Sequence, residues 1–143
     1  MLITLLTILA LVTLSILIHY EVLLRLSELI KHAHIQPRLR IIIGLVGALV
    51  AHVVEIFVFT LGYFFLNAMD VAGGLINMAS EPVSSFADYA YFSIATYTSL
   101  GFGDVVPVGV FRYVAGMEVL LGLVLIAWTA SFIYVEMQRF WKV

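Results

Sequence analysis

Three long apolar runs limit what this chain can fold into. Leu2 to Leu24, Ile41 to Leu66 and Val108 to Val135 are each dominated by Leu, Ile, Val and Phe. A helix across a hydrocarbon core about 30 Å thick needs roughly 20 such residues, and each run is long enough. The first carries Glu21 and Arg25 at its far end, and the third is entered through Gly109 and Arg112 and left through Glu136 and Arg139. Hydrophobic residues make up 64% of the chain and charged residues only 11%, whereas globular domains are about a quarter charged. With a mean hydropathy of +1.14, lipid is the expected solvent. The chain has 143 residues and no cysteine, which leaves one domain with neither a disulfide framework nor a thiolate metal site. A net charge of −2 argues against nucleic acid as a partner. The first run lacks a positive n-region and a small-residue cleavage site, so it reads as a retained helix rather than a signal peptide.

A fourth apolar segment, SSFADYAYFSIATYT at 84–98, lies between the second and third runs. Pro82-Val83-Ser84 is a start signal for a helix there. About 14 helical residues cover only about 21 Å, too little to cross, so the segment is expected to be re-entrant. Charge placement agrees. The connection between the first two runs carries Arg25, Lys31, Arg38 and Arg40 against Glu28, and the tail adds Arg139 and Lys142. Asp70, Glu81, Asp88 and Asp104 lie between the second and third runs. The positive-inside rule puts the basic loop and the tail in the cytoplasm. They share a side only if residues 84–107 dip in and return, so the N-terminus is expected outside the cell membrane and the C-terminus inside.

The segment that follows, TYTSLGFGDVVP at 96–107, is the one place where the chain stops reading as membrane helix. Non-helical backbone at membrane depth survives only if buried in protein or lining water. Gly101 and Gly103 can take positive φ, turning the carbonyls of Ser99, Leu100, Gly101 and Phe102 toward one axis. Those oxygens and the Ser99 hydroxyl can replace the hydration shell of a cation. A ring of them requires copies around an axis, hence a cyclic homo-oligomer.

On these residues, segment 41–138 resembles the pore module of potassium channels. The resemblance implies an all-α membrane protein with three transmembrane helices, a re-entrant pore helix and a selectivity-filter loop in a tetrameric channel. Residues 1–30 would be a peripheral helix, 31–40 a basic cytoplasmic loop, 41–66 the outer helix and 67–83 an extracellular loop with a flexible Gly73-Gly74 turret. Pore helix 84–98, filter 99–103, inner helix 108–136 and a short tail 137–143 complete it. Thr98 and Asp104 would support filter residues Ser99, Leu100, Gly101, Phe102 and Gly103, Arg112 would open the inner helix, and Gly122 falls at the hinge position. Ser99, Leu100 and Phe102 depart from the family's usual threonine, valine and tyrosine, and Tyr91 and Phe92 stand where tryptophans are frequent. The expectation is a filter braced more by packing than by hydrogen bonds, one that inactivates or passes sodium more readily.

Other polar residues lie within the apolar runs. His52 and Glu55 share one helix face at i,i+3 spacing, and intramembrane ionisable groups normally face protein or water. They read as a latch to the inner or pore helix (through Glu118, Thr129 or Ser131) or as a pH-sensitive coupling element. A histidine–glutamate pair alone lacks the further ligands of a closed metal site. Glu118 either braces the filter from behind or meets the His52/Glu55 face. Helical spacing below Gly122 selects Ile126, Ala130 and Tyr134 as cavity lining. Asp70, Glu81 and Asp104 would make the outer mouth acidic and concentrate cations. Tyr20, Phe140 and Trp141 look like interfacial anchors, and His32 and His34 like solvated loop residues. No run repeats arginine every third residue, the eight residues after Val135 hold no ligand-binding domain, and no nucleophile–base pair or phosphate loop is present. The expected function is passive, potassium-selective conduction by a homotetramer in a lipid bilayer. It would need no enzyme activity and no cofactor or metal beyond permeating potassium. A weakly selective cation channel and a non-conducting assembly subunit are the alternatives.

Overall fold

The computed structural model describes residues 1–32 and 36–140. Four helices and two short strands follow one another as α1 (Leu2–His32), α2 (Pro37–Ala68), β1 (Gly73–Asn77), α3 (Phe86–Tyr97), β2 (Val105–Gly109) and α4 (Phe111–Phe140). Within α1, α2 and α4 the stretches Leu2–Lys31, Leu39–Ala68 and Phe111–Arg139 are long and apolar enough to cross a membrane. Their outward faces carry large apolar side chains such as Leu5, Leu49, Phe57 and Leu123, as lipid-facing surfaces require. The chain is a multi-pass membrane protein. His34, Trp141 and Lys142 lie outside the described residues, as do the side chains of His32, Arg38 and Phe140.

Small residues let α1 lie against α2. A Cβ on Gly47 would come within 2.4 Å of Leu26, and one on Gly62 within 2.5 Å of Leu11. In lipid, helices associate by such close van der Waals packing because hydrocarbon offers no hydrophobic drive. At the far end of α4, Ser27 and Arg139 both donate to Glu136 Oε1 at 2.9 Å, which joins α4 to α1. The main apolar core lies between α2, α3, α4 and β1. Within it, Tyr63 meets Phe92 edge-on at 5.3 Å and stacks on Phe111 at 5.7 Å.

The outer connection is not the flexible loop that its glycines suggest. Strand β1 pairs antiparallel with β2, from Gly73 opposite Gly109 to Asn77 opposite Val105. The two glycines are where the backbones come closest: a Cβ on Gly73 would lie 2.4 Å from Val108 O, and one on Gly109 2.3 Å from Ala72 O. Leu75 plugs the core, and Val83 N–H donates back to Leu75 O at 2.9 Å. Because Val108 and Gly109 belong to the ribbon, α4 starts at Phe111 rather than 108. The ribbon also joins the chain just after α2 to the chain just before α4. Everything between them, α3 included, therefore leaves and returns at the same end of the bundle. With 12 residues, or about 18 Å, α3 is re-entrant.

Candidate functional site

The site is assembled around α3. Ser85 opens the helix, its Oγ accepting from Ala87 N–H at 3.3 Å, and Asp88 in the first turn complements the helix dipole. The C-terminal end leads directly into the glycine loop. Ser99 takes a left-handed conformation with φ of 59°. Its N–H donates to Thr96 O at 2.9 Å, and Leu100 N–H donates to Ala95 O at 2.8 Å. This is a Schellman termination with serine where glycine is usual. Gly101 N–H donates to Ala95 O as well, at 3.2 Å.

These bonds orient the loop. In a trans peptide, N–H and C=O point in opposite directions. With the N–H groups of 99, 100 and 101 committed to α3, the carbonyls of Thr98, Ser99 and Leu100 point away from it. Positive φ recurs at Gly101 (52°) and Gly103 (82°) but not at Leu100 or Phe102 between them. The hand of the backbone therefore alternates from Ser99 to Gly103. The Ser99, Leu100, Gly101, Phe102 and Gly103 surfaces are all exposed. Thr98 Oγ1 turns back to Ile94 O at 2.7 Å, so its side chain caps α3.

Beyond the loop, Phe102 stacks on Tyr91 with centroids 6.3 Å apart, and Tyr91 Oη donates to Asp104 Oδ2 at 2.8 Å. Asp104 Oδ1 accepts from Val105 N–H. The loop thus has one hydrogen-bonded brace, Tyr91 to Asp104, beside the packing of Phe102 on Tyr91. The Asp104 carboxylate raises the Tyr91 phenol above its ordinary range by accepting its hydrogen.

Two buried polar clusters hold α3 from behind. At its middle, Ser93 Oγ donates to Glu118 Oε1 at 2.5 Å and Tyr63 Oη donates to Glu118 Oε2 at 2.6 Å. Glu118 on α4 therefore clasps α3 and α2 together, and it does not meet His52 or Glu55. At the end of α3, Tyr97 Oη donates to Glu55 Oε2 and lies 2.8 Å from His52 Nδ1. His52 Nδ1 is also 3.1 Å from Glu55 Oε2, while its Nε2 lies 3.0 Å from Thr129 Oγ1. His19 of α1 completes the cage, with Nδ1 2.8 Å from Glu55 Oε1 and Nε2 3.4 Å from Thr129 Oγ1. Both His19 and Glu55 are fully buried.

One tautomer of the cage, with both rings neutral and hydrogen on each Nδ1, can be counted through. With neutral rings, each imidazole brings one N–H. The ionised Glu55 carboxylate only accepts, so the Nδ1–H of each ring is spent on that side. Both Nε2 atoms then present lone pairs to Thr129, whose single hydroxyl hydrogen serves only one of them.

Among the other residues singled out in the sequence, Thr129 joins the cage, whereas Ser131 Oγ donates to Ala127 O in its own helix. Helix α4 runs unbroken through Gly122, where a Cβ would lie 2.3 Å from Tyr97 O; here glycine lets the end of α3 touch α4. Ile126, Ala130 and Tyr134 are exposed along α4. Arg112 Nε donates to Pro107 O at 3.2 Å. Asp70 is exposed, Tyr20 also, and Glu81 is held in a turn by Asn77. The sequence does not single out His19, because it stands beside Tyr20 and Glu21 towards the end of a peripheral run, where polar residues ordinarily mark an interface. A signal existed, since an ionisable residue inside an apolar run is by itself a reason to look for a partner.

These features define a membrane channel module: two spanning helices flanking a re-entrant helix and an extended glycine loop. The family model described as Ion channel matches residues 51–139, and the chain belongs to that family. No curated protein and no solved structure matches it.

Proposed function

We propose that this ion channel is a passive, potassium-selective homotetramer whose filter is the loop Ser99–Gly103. The observation that carries the reading is the committed direction of the loop: its N–H groups are spent on α3, its carbonyls turn away, and positive φ recurs at 99, 101 and 103. Four such loops around an axis would supply stacked rings of backbone oxygen, the ligand that substitutes for potassium hydration. Ile126, Ala130 and Tyr134 would border the inner pathway, Gly122 would be its hinge, and Asp70, Glu81 and Asp104 would hold cations at the mouth. The N-terminus would lie outside the cell membrane and the C-terminus in the cytoplasm. Potassium is the permeant ion, and transport needs no cofactor.

Flux from proteoliposomes tests this. The reading expects potassium uptake that barium blocks and a much smaller sodium flux. Equal sodium flux would make the protein a weakly selective cation channel. No flux from a well-formed tetramer would make it a non-conducting assembly subunit. Gly101→Ala places an L side chain at φ of 52°, a conformation that costs about 1–2 kcal/mol. It should abolish flux while leaving assembly intact.

A further inference from the structure

The His19–His52–Glu55 cage lies behind the end of α3, apart from the loop Ser99–Gly103 itself, and has the composition of a metal site. One ligand atom from each residue lies within 4.8 Å of the others, on two helices 36 residues apart in the chain at His19 and Glu55. Two imidazoles and a carboxylate are a ligand set that zinc-class divalent ions accept. The Tyr97 phenol oxygen adjoins the set, 2.8 Å from His52 Nδ1 and hydrogen-bonded to Glu55. Ligands around such an ion sit at about 2.0–2.1 Å, hence about 3.3 Å from one another in a tetrahedron. The His19–Glu55 and His52–Glu55 spacings of 2.8 Å and 3.1 Å need open by only a few tenths of an ångström.

We infer that this cage is a binding site for a zinc-class divalent cation, with His19 Nδ1, His52 Nδ1 and Glu55 as ligands and Thr129 as the hydroxyl that orients both rings. An ion also gives every ring nitrogen a defined partner. An ion on the Nδ1 side takes both Nδ1 lone pairs and leaves an N–H on each Nε2. Both N–H groups then point at Thr129 Oγ1, whose two lone pairs accept them. Ligating histidines characteristically donate their second nitrogen in this manner. The buried Glu55 charge is balanced at the same time. His52, 13% exposed, is the open edge of the cage. Occupancy would staple the peripheral helix α1 to Tyr97, the last residue of α3.

The test uses the full chain without an affinity tag, in detergent and stripped with a chelator. Titration with Zn2+ by calorimetry should show one saturable site per chain, and Zn2+ should raise the thermal midpoint. His32 and His34 are the chain's other histidines; replacing both with Gln should leave binding unchanged. His19→Gln should abolish saturable binding, and Thr129→Val should weaken it about 10-fold or more. No saturable binding to the wild-type chain overturns the proposal, whether or not the variants fold. So does binding that is lost in the His32/His34 variant, or that survives undiminished in a folded His19→Gln chain.

Discussion

The pore helix is held by two buried polar clusters, and they differ in what they reach. The Glu118 clasp takes Ser93 from the middle of α3 and Tyr63 from α2, all within the residues that match the channel family. The cage at the end of α3 takes Tyr97 but draws one of its members, His19, from α1, outside the matched segment. The clasp is thus internal to the pore module, whereas the cage ties an added helix to it. The lesson concerns α1: it is joined through Glu55 to Tyr97, the residue preceding Thr98 and Ser99, and it is more than a lipid-facing jacket.

Removing the central carboxylate of each cluster should have the largest effects. Glu55→Ala leaves the His19 and His52 rings without their shared acceptor, and Glu118→Ala strands the Tyr63 hydroxyl while Ser93 keeps Ile56 O as acceptor. Each buried donor left without its acceptor costs about 1–3 kcal/mol, and the vacated volume adds to that, measurable by denaturant titration in detergent. Proteolysis or cross-linking between α1 and α2 separates the two. Glu55→Ala should loosen α1, whereas Glu118→Ala should leave it docked. Equal loosening in both variants would erase the distinction drawn between the clusters.

A smaller effect is expected where the end of α3 touches α4. Gly122→Ala would place its methyl 2.3 Å from Tyr97 O, forcing α4 and α3 apart. Overpacking of this kind costs about 1–3 kcal/mol, and flux should fall with it. A variant with unchanged stability and flux would show that α4 yields freely at Gly122.

Much of this was legible in the sequence because it is local. Helix length, the short re-entrant segment and the glycine pair at 101 and 103 are read from runs and neighbours, and His52 with Glu55 announced themselves by sharing a helix turn. What was missed depends on partners far apart in the chain. Strand β1 carries two glycines that read as flexibility until Gly109 is set opposite Gly73. His19 looked isolated until α1 brought it against Glu55. The left-handed Ser99 is a third case: serine gives little hint of positive φ, and only the bonds that end α3 require it.

The smallest expected effect lies outside both clusters, at the exposed brace between Tyr91 and Asp104. Tyr91→Phe keeps the ring that stacks on Phe102 but removes the hydrogen given to Asp104. Assembly should be unaffected, and the change should appear only as a faster decline of current during sustained permeation. The pH dependence has a definite sign. The phenol is raised from its ordinary value near 10 because the neutral form donates to Asp104. Its contribution is therefore fully present below about 10 and fades only as pH rises through the higher folded value. The difference between Tyr91→Phe and the parent chain should accordingly be the same at pH 6 and pH 8, and should shrink only in strong alkali. A difference that vanished between pH 6 and pH 8 would place the control of loop stability elsewhere than this hydrogen bond.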